Sequence, residues 1–202
     1  MLEKKNREYL NLFSVPIQIT ELELNVESLI EFCYEMKRKD ERGVEISNIG
    51  GWQSDNIFNE THTEFVKLKT EIKKAANVYH EEMRFKKTLK QGGEQIWANI
   101  NQKGHSNEWH LHSRSALSGA FYLIGESPIV FQHPYHEITT YYWNSSHVEE
   151  WTGENSGEWT IVPKPNILLV FPAWVWHKVL MNKEDTDRIS LSFNTIFVQS
   201  NG

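Results

Sequence analysis

The sequence predicts a mainly β protein with N-terminal helices: a sandwich, barrel or jelly roll with the helices packed on one face. Two observations carry this. Two amphipathic stretches lie within the first 92 residues, and after Gln91-Gly-Gly93 the apolar period shortens to that of strands. About eight short β-type runs then follow in about 105 residues, separated by turn residues. A length of 202 residues fits one domain, 1–202, with a helical support region over 1–92 and a β core over 93–202.

Taken in order, residues 10–19 form a short apolar stretch around Pro16, an edge strand or arm. Residues 26–38 read as a helix with Leu29, Ile30, Cys33 and Met36 on one stripe and Asn25 as N-cap. Residues 40–59 are loop-like, with Gly43, Gly50 and Gly51. A second helix spans 63–87, where Phe65, Leu68, Ile72, Ala75, Ala76, Tyr79 and Met83 recur at three- and four-residue steps. The strand runs are 95–101, 117–124, 129–132, 158–162, 167–171, 175–180 and 189–198, with a further strand around 139–143. The stretch 133–157, rich in His, Tyr, Trp and Asn, is the least regular part and a candidate rim or lid.

Composition excludes several classes. Lys+Arg is 21 against Asp+Glu 27, a net charge of −6, which argues against a basic nucleic-acid binder. Eight Trp and 12% aromatics argue against disorder. A lone cysteine, Cys33, excludes an internal disulfide and a Cys-rich zinc site. No apolar run is long enough to span a membrane. The polar start, Met1-Leu-Glu-Lys-Lys-Asn-Arg-Glu, lacks a signal-peptide core, so a cytoplasmic setting is expected. No Gly-rich phosphate loop precedes a helix, and no Gly-x-Ser-x-Gly is present.

Among nine histidines, His110-Leu-His112 and His177 are the informative ones. On a strand, residues i and i+2 share a face, so His110 and His112 can converge on one ion. By spacing alone, a pair of strand-end histidines bonded to backbone is the plainer reading. His177 follows an apolar strand between Trp176 and Val179, where a buried imidazole needs a partner. In the last strand, Arg188-Ile-Ser-Leu-Ser-Phe-Asn194, alternation puts Arg188, Ser190 and Ser192 on one face. A guanidinium with a nearby hydroxyl suits one end of a dicarboxylate, and an ion pair with Asp185 or Asp187 is the plainer alternative.

Four ordered phrases carry a resemblance. They are Trp97-Ala-Asn-Ile-Asn101, His110-Leu-His-Ser-Arg-Ser-Ala-Leu-Ser-Gly-Ala-Phe-Tyr-Leu123, Leu169-Val-Phe-Pro-Ala-Trp-Val-Trp-His177 and Arg188-Ile-Ser-Leu-Ser-Phe-Asn194. With them the chain resembles the non-haem Fe(II)/2-oxoglutarate-dependent oxygenases, in a branch found in bacteria and tailed phages. The resemblance implies a double-stranded β-helix, or jelly roll, with Fe(II) and 2-oxoglutarate as metal and co-substrate. It implies hydroxylation of a further substrate with release of succinate and CO2. His110 and His177 match two metal ligands, and His112 stands where most relatives place a carboxylate. That departure leaves the site one unit more positive, and Glu108 is a reserve carboxylate on the same strand face. Arg188 and Ser190 match the groups that hold the far carboxylate of 2-oxoglutarate, and Tyr122 and Asn99 are further candidates to line that site. Asn194 is a weaker one. Tyr141, Tyr142, Trp143 and Trp151 are a candidate lid over the substrate, or the packing of a long loop, and Trp52 and Gln53 are candidates to reach the site from the N-terminal half. Two alternatives stay open: a cupin-like three-His enzyme without 2-oxoglutarate, and a non-catalytic binding module on an oxygenase fold.

Overall fold

Strand β6 (Leu117–Ile124) shows how one sheet comes to be covered on both sides. In the computed structural model, which describes residues 8–200, its odd positions Leu117, Phe121 and Leu123 enter one apolar cluster. Its even positions Ala120 and Tyr122 enter another. The first cluster lies under two helices, α1 (Val26–Lys39) and α2 (Thr63–Glu82). The second lies between two sheets. The polar residues 1–7 fall outside the described residues.

All strand pairings are antiparallel. The larger sheet has the order β1 (Gln18–Glu21), β9 (Ile167–Pro172), β6, β11 (Arg188–Gln199), β4 (Leu89–Asn101) and β3 (Trp52–Gln53). The smaller has β2 (Asn48–Ile49), β5 (Ser106–His110), β10 (His177–Val179), β7 (Ile129–Gln132) and β8 (Glu158–Ile161). Sequence-distant strands lie side by side, as in a jelly roll. Leu29, Phe32 and Cys33 of α1 and Phe65, Leu68 and Ile72 of α2 pack with Ile96, Ile100, Leu191 and Phe193 of the larger sheet. Truncating a fully buried Phe193 to Ala would cost about 3–5 kcal/mol. Asn25 caps α1 by accepting from the Ser28 N–H at 3.0 Å, and Lys37, Arg38 and Lys39 complement its C-terminal dipole. No helix among the described residues is long and apolar enough to cross a membrane. Cys33 is free and buried, and burial pushes its thiol pKa up, which keeps it inert.

Several elements differ from the sequence expectations. The expected strand at 139–143 lies in a helix, α3 (His136–Tyr142), with no buried residue. Its Thr, Tyr and Trp favour strands, but no neighbouring strand offers them a ladder. Only Gln18 and Ile19 of the stretch 10–19 join a strand, after Pro16. Helix α2 stops at Glu82, because Arg84 turns left-handed (φ 52°) and folds Phe85 back onto His80 and Phe197. Gln91-Gly-Gly93 does not precede β4 but lies inside it, at a bulge where Gly93 and Glu94 of β4 stand opposite Thr195 of β11 alone, between the Asn194–Gln95 and Ile196–Gly92 pairs. Gly93 has φ +60°, and a Cβ there would come 2.7 Å from Ile196 Cγ1. The two-residue strands β2 and β3 form within the expected loop. Strand β5, Ser-Asn-Glu-Trp-His, has no apolar alternation to reveal it.

Candidate metal centre and its cavity

His110 and His177 are direct cross-strand partners, the last residue of β5 facing the first of β10. Their ring centroids are 4.3 Å apart. His112 lies two residues past the end of β5, with its ring 5.2 Å from each of the other two. One nitrogen from each of the three comes within 4.8 Å of the others. Glu108 is exposed and not part of this cluster, which corrects its reading as a reserve ligand.

Backbone contacts orient two of the rings. His110 Nδ1 lies 2.6 Å from the Glu108 carbonyl, and His177 Nδ1 lies 2.9 Å from the Val175 carbonyl. Each carbonyl accepts an Nδ1–H, which leaves Nε2 unprotonated and available to a metal. Beside His112, the Asn194 amide is 3.4 Å from Nδ1, and Asn194 Oδ1 is buried without a partner. Turned over, that amide accepts from Nδ1–H and frees Nε2 in the same way. Burial lowers all three ring pKa values. His112 falls to about 4, by burial first and then by the neighbouring His110, and His177 falls well below the ordinary range. Three neutral imidazoles at neutral pH form a donor set that suits iron.

The cluster opens into a cavity of about 390 Å³ between the sheets, which also holds Arg188, Ser190, Tyr122 and Asn99. Alternation along β11 sends Arg188, Ser190, Ser192 and Asn194 into it, while Ile189, Leu191 and Phe193 face the helices. Register aligns Gln53, Asn99, Ser190 and Tyr122 across β3, β4, β11 and β6 as one polar row. Asn99 Nδ2 donates to Ser192 Oγ at 3.0 Å.

Arg188 is 2% exposed. Its Nε donates to the Ser127 carbonyl at 3.4 Å and its Nη1 to Ser190 Oγ at 3.2 Å. The guanidinium carbon lies 5.2 Å from the Tyr122 ring centroid. Gly125 (φ +90°) lets the chain pass here, since a Cβ would fall 2.6 Å from Arg188 Cα. Neither suspected acid pairs with Arg188. Asp185 binds Lys103 at 2.8 Å, and Asp187 accepts from the Tyr34 hydroxyl at 2.7 Å. Among the described residues, then, a buried cation stands without a carboxylate. Nearby, Tyr122 Oη and Ser127 Oγ are buried without partners. Burial raises the Tyr122 pKa and lowers that of Arg188. A buried guanidinium without a carboxylate, beside the Tyr122 and Ser127 hydroxyls, fits an incoming carboxylate.

The cavity brings together His110, His112, His177, Arg188, Ser190, Tyr122 and Asn99. Gln53 lines it, but Trp52 does not: its indole is buried in the helix-side core and donates to the Asp40 carbonyl. Tyr141, Tyr142, Trp143 and Trp151 are exposed and line no part of this cavity, so they neither cover it nor pack as core. Ser127 escaped the sequence reading, because nothing local marks the turn after β6 as returning beside Arg188.

Residues 95–194 match a family model described as "Putative 2OG-Fe(II) oxygenase". Among solved structures, a Pseudomonas putida prolyl-4-hydroxylase is similar at TM-score 0.60 and 14% identity, over 95% of this chain and 96% of that one. The non-haem alpha-ketoglutarate-dependent carbocyclase SnoK of nogalamycin biosynthesis is similar at TM-score 0.64 and 10% identity, over 92% and 82%. The epimerase SnoN, solved in complex with Fe3+, alpha-ketoglutarate and nogalamycin RO, is similar at TM-score 0.59 and 14% identity, over 89% and 78%. These likenesses establish a shared double-stranded β-helix fold. No curated protein sequence matches the chain. Through residues 95–194, the three-histidine cluster and the fold around it, the chain matches the 2OG-Fe(II) oxygenases, oxidoreductases that use Fe(II) as metal and 2-oxoglutarate as co-substrate.

Proposed function

We propose that this chain is a dioxygenase that hydroxylates a substrate while 2-oxoglutarate and O2 go to succinate and CO2. His110, His112 and His177 hold the metal through Nε2. Arg188 and Ser190 hold the far carboxylate of 2-oxoglutarate, with Tyr122 against it and Asn99 along its path. Iron, when bound, supplies the oxygen activation that no side chain of the chain can perform. The protein orients the acid, keeps the imidazoles neutral and shields the buried end of the cavity from water. Residues 1–202 act as one unit, with 1–92 supporting the jelly roll of 93–202. The core shared by α1, α2 and the larger sheet supports this.

The observation that carries this reading is the buried, carboxylate-free Arg188 in the cavity of the three histidines. It also disfavours a cupin-like three-His enzyme, because the place of Arg188 after the distal His177 matches the co-substrate arginine of 2-oxoglutarate oxygenases. The test is anaerobic addition of Fe(II) and then 2-oxoglutarate, followed by visible absorption. A weak charge-transfer band is expected, lost in His177→Ala and weakened in Arg188→Met. Iron binding without a band would favour the cupin-like enzyme, and no iron binding would favour a binding module.

A further inference from the structure

The charges around the histidine cluster do not balance. Among the described residues that line the cavity, the one buried charge is the Arg188 cation. The lining acids, Asp55 and Glu108, are both exposed, where water screens them, and neither belongs to the cluster. The three imidazoles are neutral donors, and their outer nitrogens meet neutral partners as well. His110 and His177 face the Glu108 and Val175 carbonyls, and His112 faces the Asn194 carboxamide. Carboxylates often stand behind metal-ligating histidines, and none does here. Tyr122 supplies no charge, since burial raises its pKa. A divalent metal at the cluster and the Arg188 guanidinium bring three positive charges, and dianionic 2-oxoglutarate returns two. One positive charge is left over, in a site where His177 is 4% exposed. A buried charge without a partner is costly, so the filled site favours one more anion.

We propose that the further substrate carries a monoanionic group, such as a carboxylate, that lies against the three-histidine cluster. This rests on the oxygenase reading above. His112 creates the preference, because it is a neutral donor where an Asp would balance the charge. The two anions are held at separate places. Arg188 keeps the far carboxylate of 2-oxoglutarate, and the leftover charge belongs to the histidine end of the cavity. Neutral and cationic molecules gain nothing from that charge, so the site selects its substrate by sign.

The test uses the whole protein, loaded with Co(II), saturated with 2-oxoglutarate and kept under argon in chloride-free buffer. Acetate, azide and the neutral acetamide are titrated in, followed by calorimetry and by the visible Co(II) spectrum. The two anions are expected to shift the spectrum and to bind about tenfold tighter than acetamide. His112→Asp, which returns a carboxylate to the donor set, is expected to keep the metal and erase that advantage. Asn194→Asp places the charge behind His112 and leaves the donor set intact, so it tests the same point if His112→Asp fails to hold metal. It is expected to lower the advantage about threefold. Equal binding of acetate and acetamide overturns the proposal, hydroxide from water then being the balancing anion. An advantage that survives in both variants, or that leaves the Co(II) spectrum unmoved, also overturns it, since the anion then sits elsewhere. Separate titrations without probes keep the two readings apart. Failure to bind Co(II) and 2-oxoglutarate overturns the oxygenase reading and this proposal together, while normal binding of both with no anion preference overturns this proposal alone.

Discussion

Strand β11 and the insert 133–157 both mix polar and aromatic side chains, and they use them in opposite ways. On β11, Arg188 and Ser190 are buried in the cavity while Ile189, Leu191 and Phe193 are buried against the helices. In the insert, Tyr141 is 74% exposed and Tyr142 64%. The difference is the ladder. β11 pairs with β4 and β6 on its two sides, which fixes the direction of every side chain. The insert folds into the short helix α3 and turns, and no sheet register tells its aromatics where to point.

The comparison can be broken most forcefully at the histidines. His177→Ala is expected to lower Fe(II) affinity by more than about 100-fold, since even the partners of metal ligands are worth 10–100-fold. An anaerobic metal titration measures it. Next comes Arg188→Met. It is expected to weaken 2-oxoglutarate about 100-fold, by removing charge-assisted hydrogen bonds. It should also leave the ligand-free melting temperature unchanged or raised, because no native carboxylate is orphaned. A sharp drop in melting temperature would mean that Arg188 holds the fold together.

A third effect is the pH profile of metal-free protein. Burial holds His112 at about 4 and His177 well below its ordinary range, whereas unfolded histidines titrate near about 6.5. Below that pH the unfolded chain binds more protons than the folded one. Stability is therefore full above about pH 6.5 and declines as pH falls toward about 4. Melts across that window check this, and His112→Gln should flatten the profile. Asn194→Ala is smaller, about a tenfold loss of metal affinity if its amide sets the His112 ring. Smallest are Tyr141→Ser and Trp143→Ser in the insert, each expected to change stability by less than about 0.5 kcal/mol.

The same contrast explains what could be read from sequence. Strand residues 117–124 and the inward face of Arg188, Ser190 and Ser192 were legible, because period-two alternation is a local signal. The three histidines were legible as a spacing, and their convergence follows from the His110–His177 pairing. Strand β5 was not legible, because Ser106–His110 has no apolar face. The insert read as a strand and a lid from its composition, and α3 shows that composition without a partner strand decides little. Ser127 owes its place to a chain return that no local pattern encodes, and the arrival of Gln53 at the cavity likewise depends on the distant pairing of β3 with β4.

The central claim is that the histidine cluster and Arg188 grip one molecule from two ends. Its most direct measurement is the affinity of 2-oxoglutarate under argon, with and without Fe(II). One shared ligand requires that metal tighten 2-oxoglutarate, and 2-oxoglutarate tighten metal, by the same factor, expected to be tenfold or more. An affinity for 2-oxoglutarate that is indifferent to Fe(II) would contradict the claim and make Arg188 and the three histidines two separate sites.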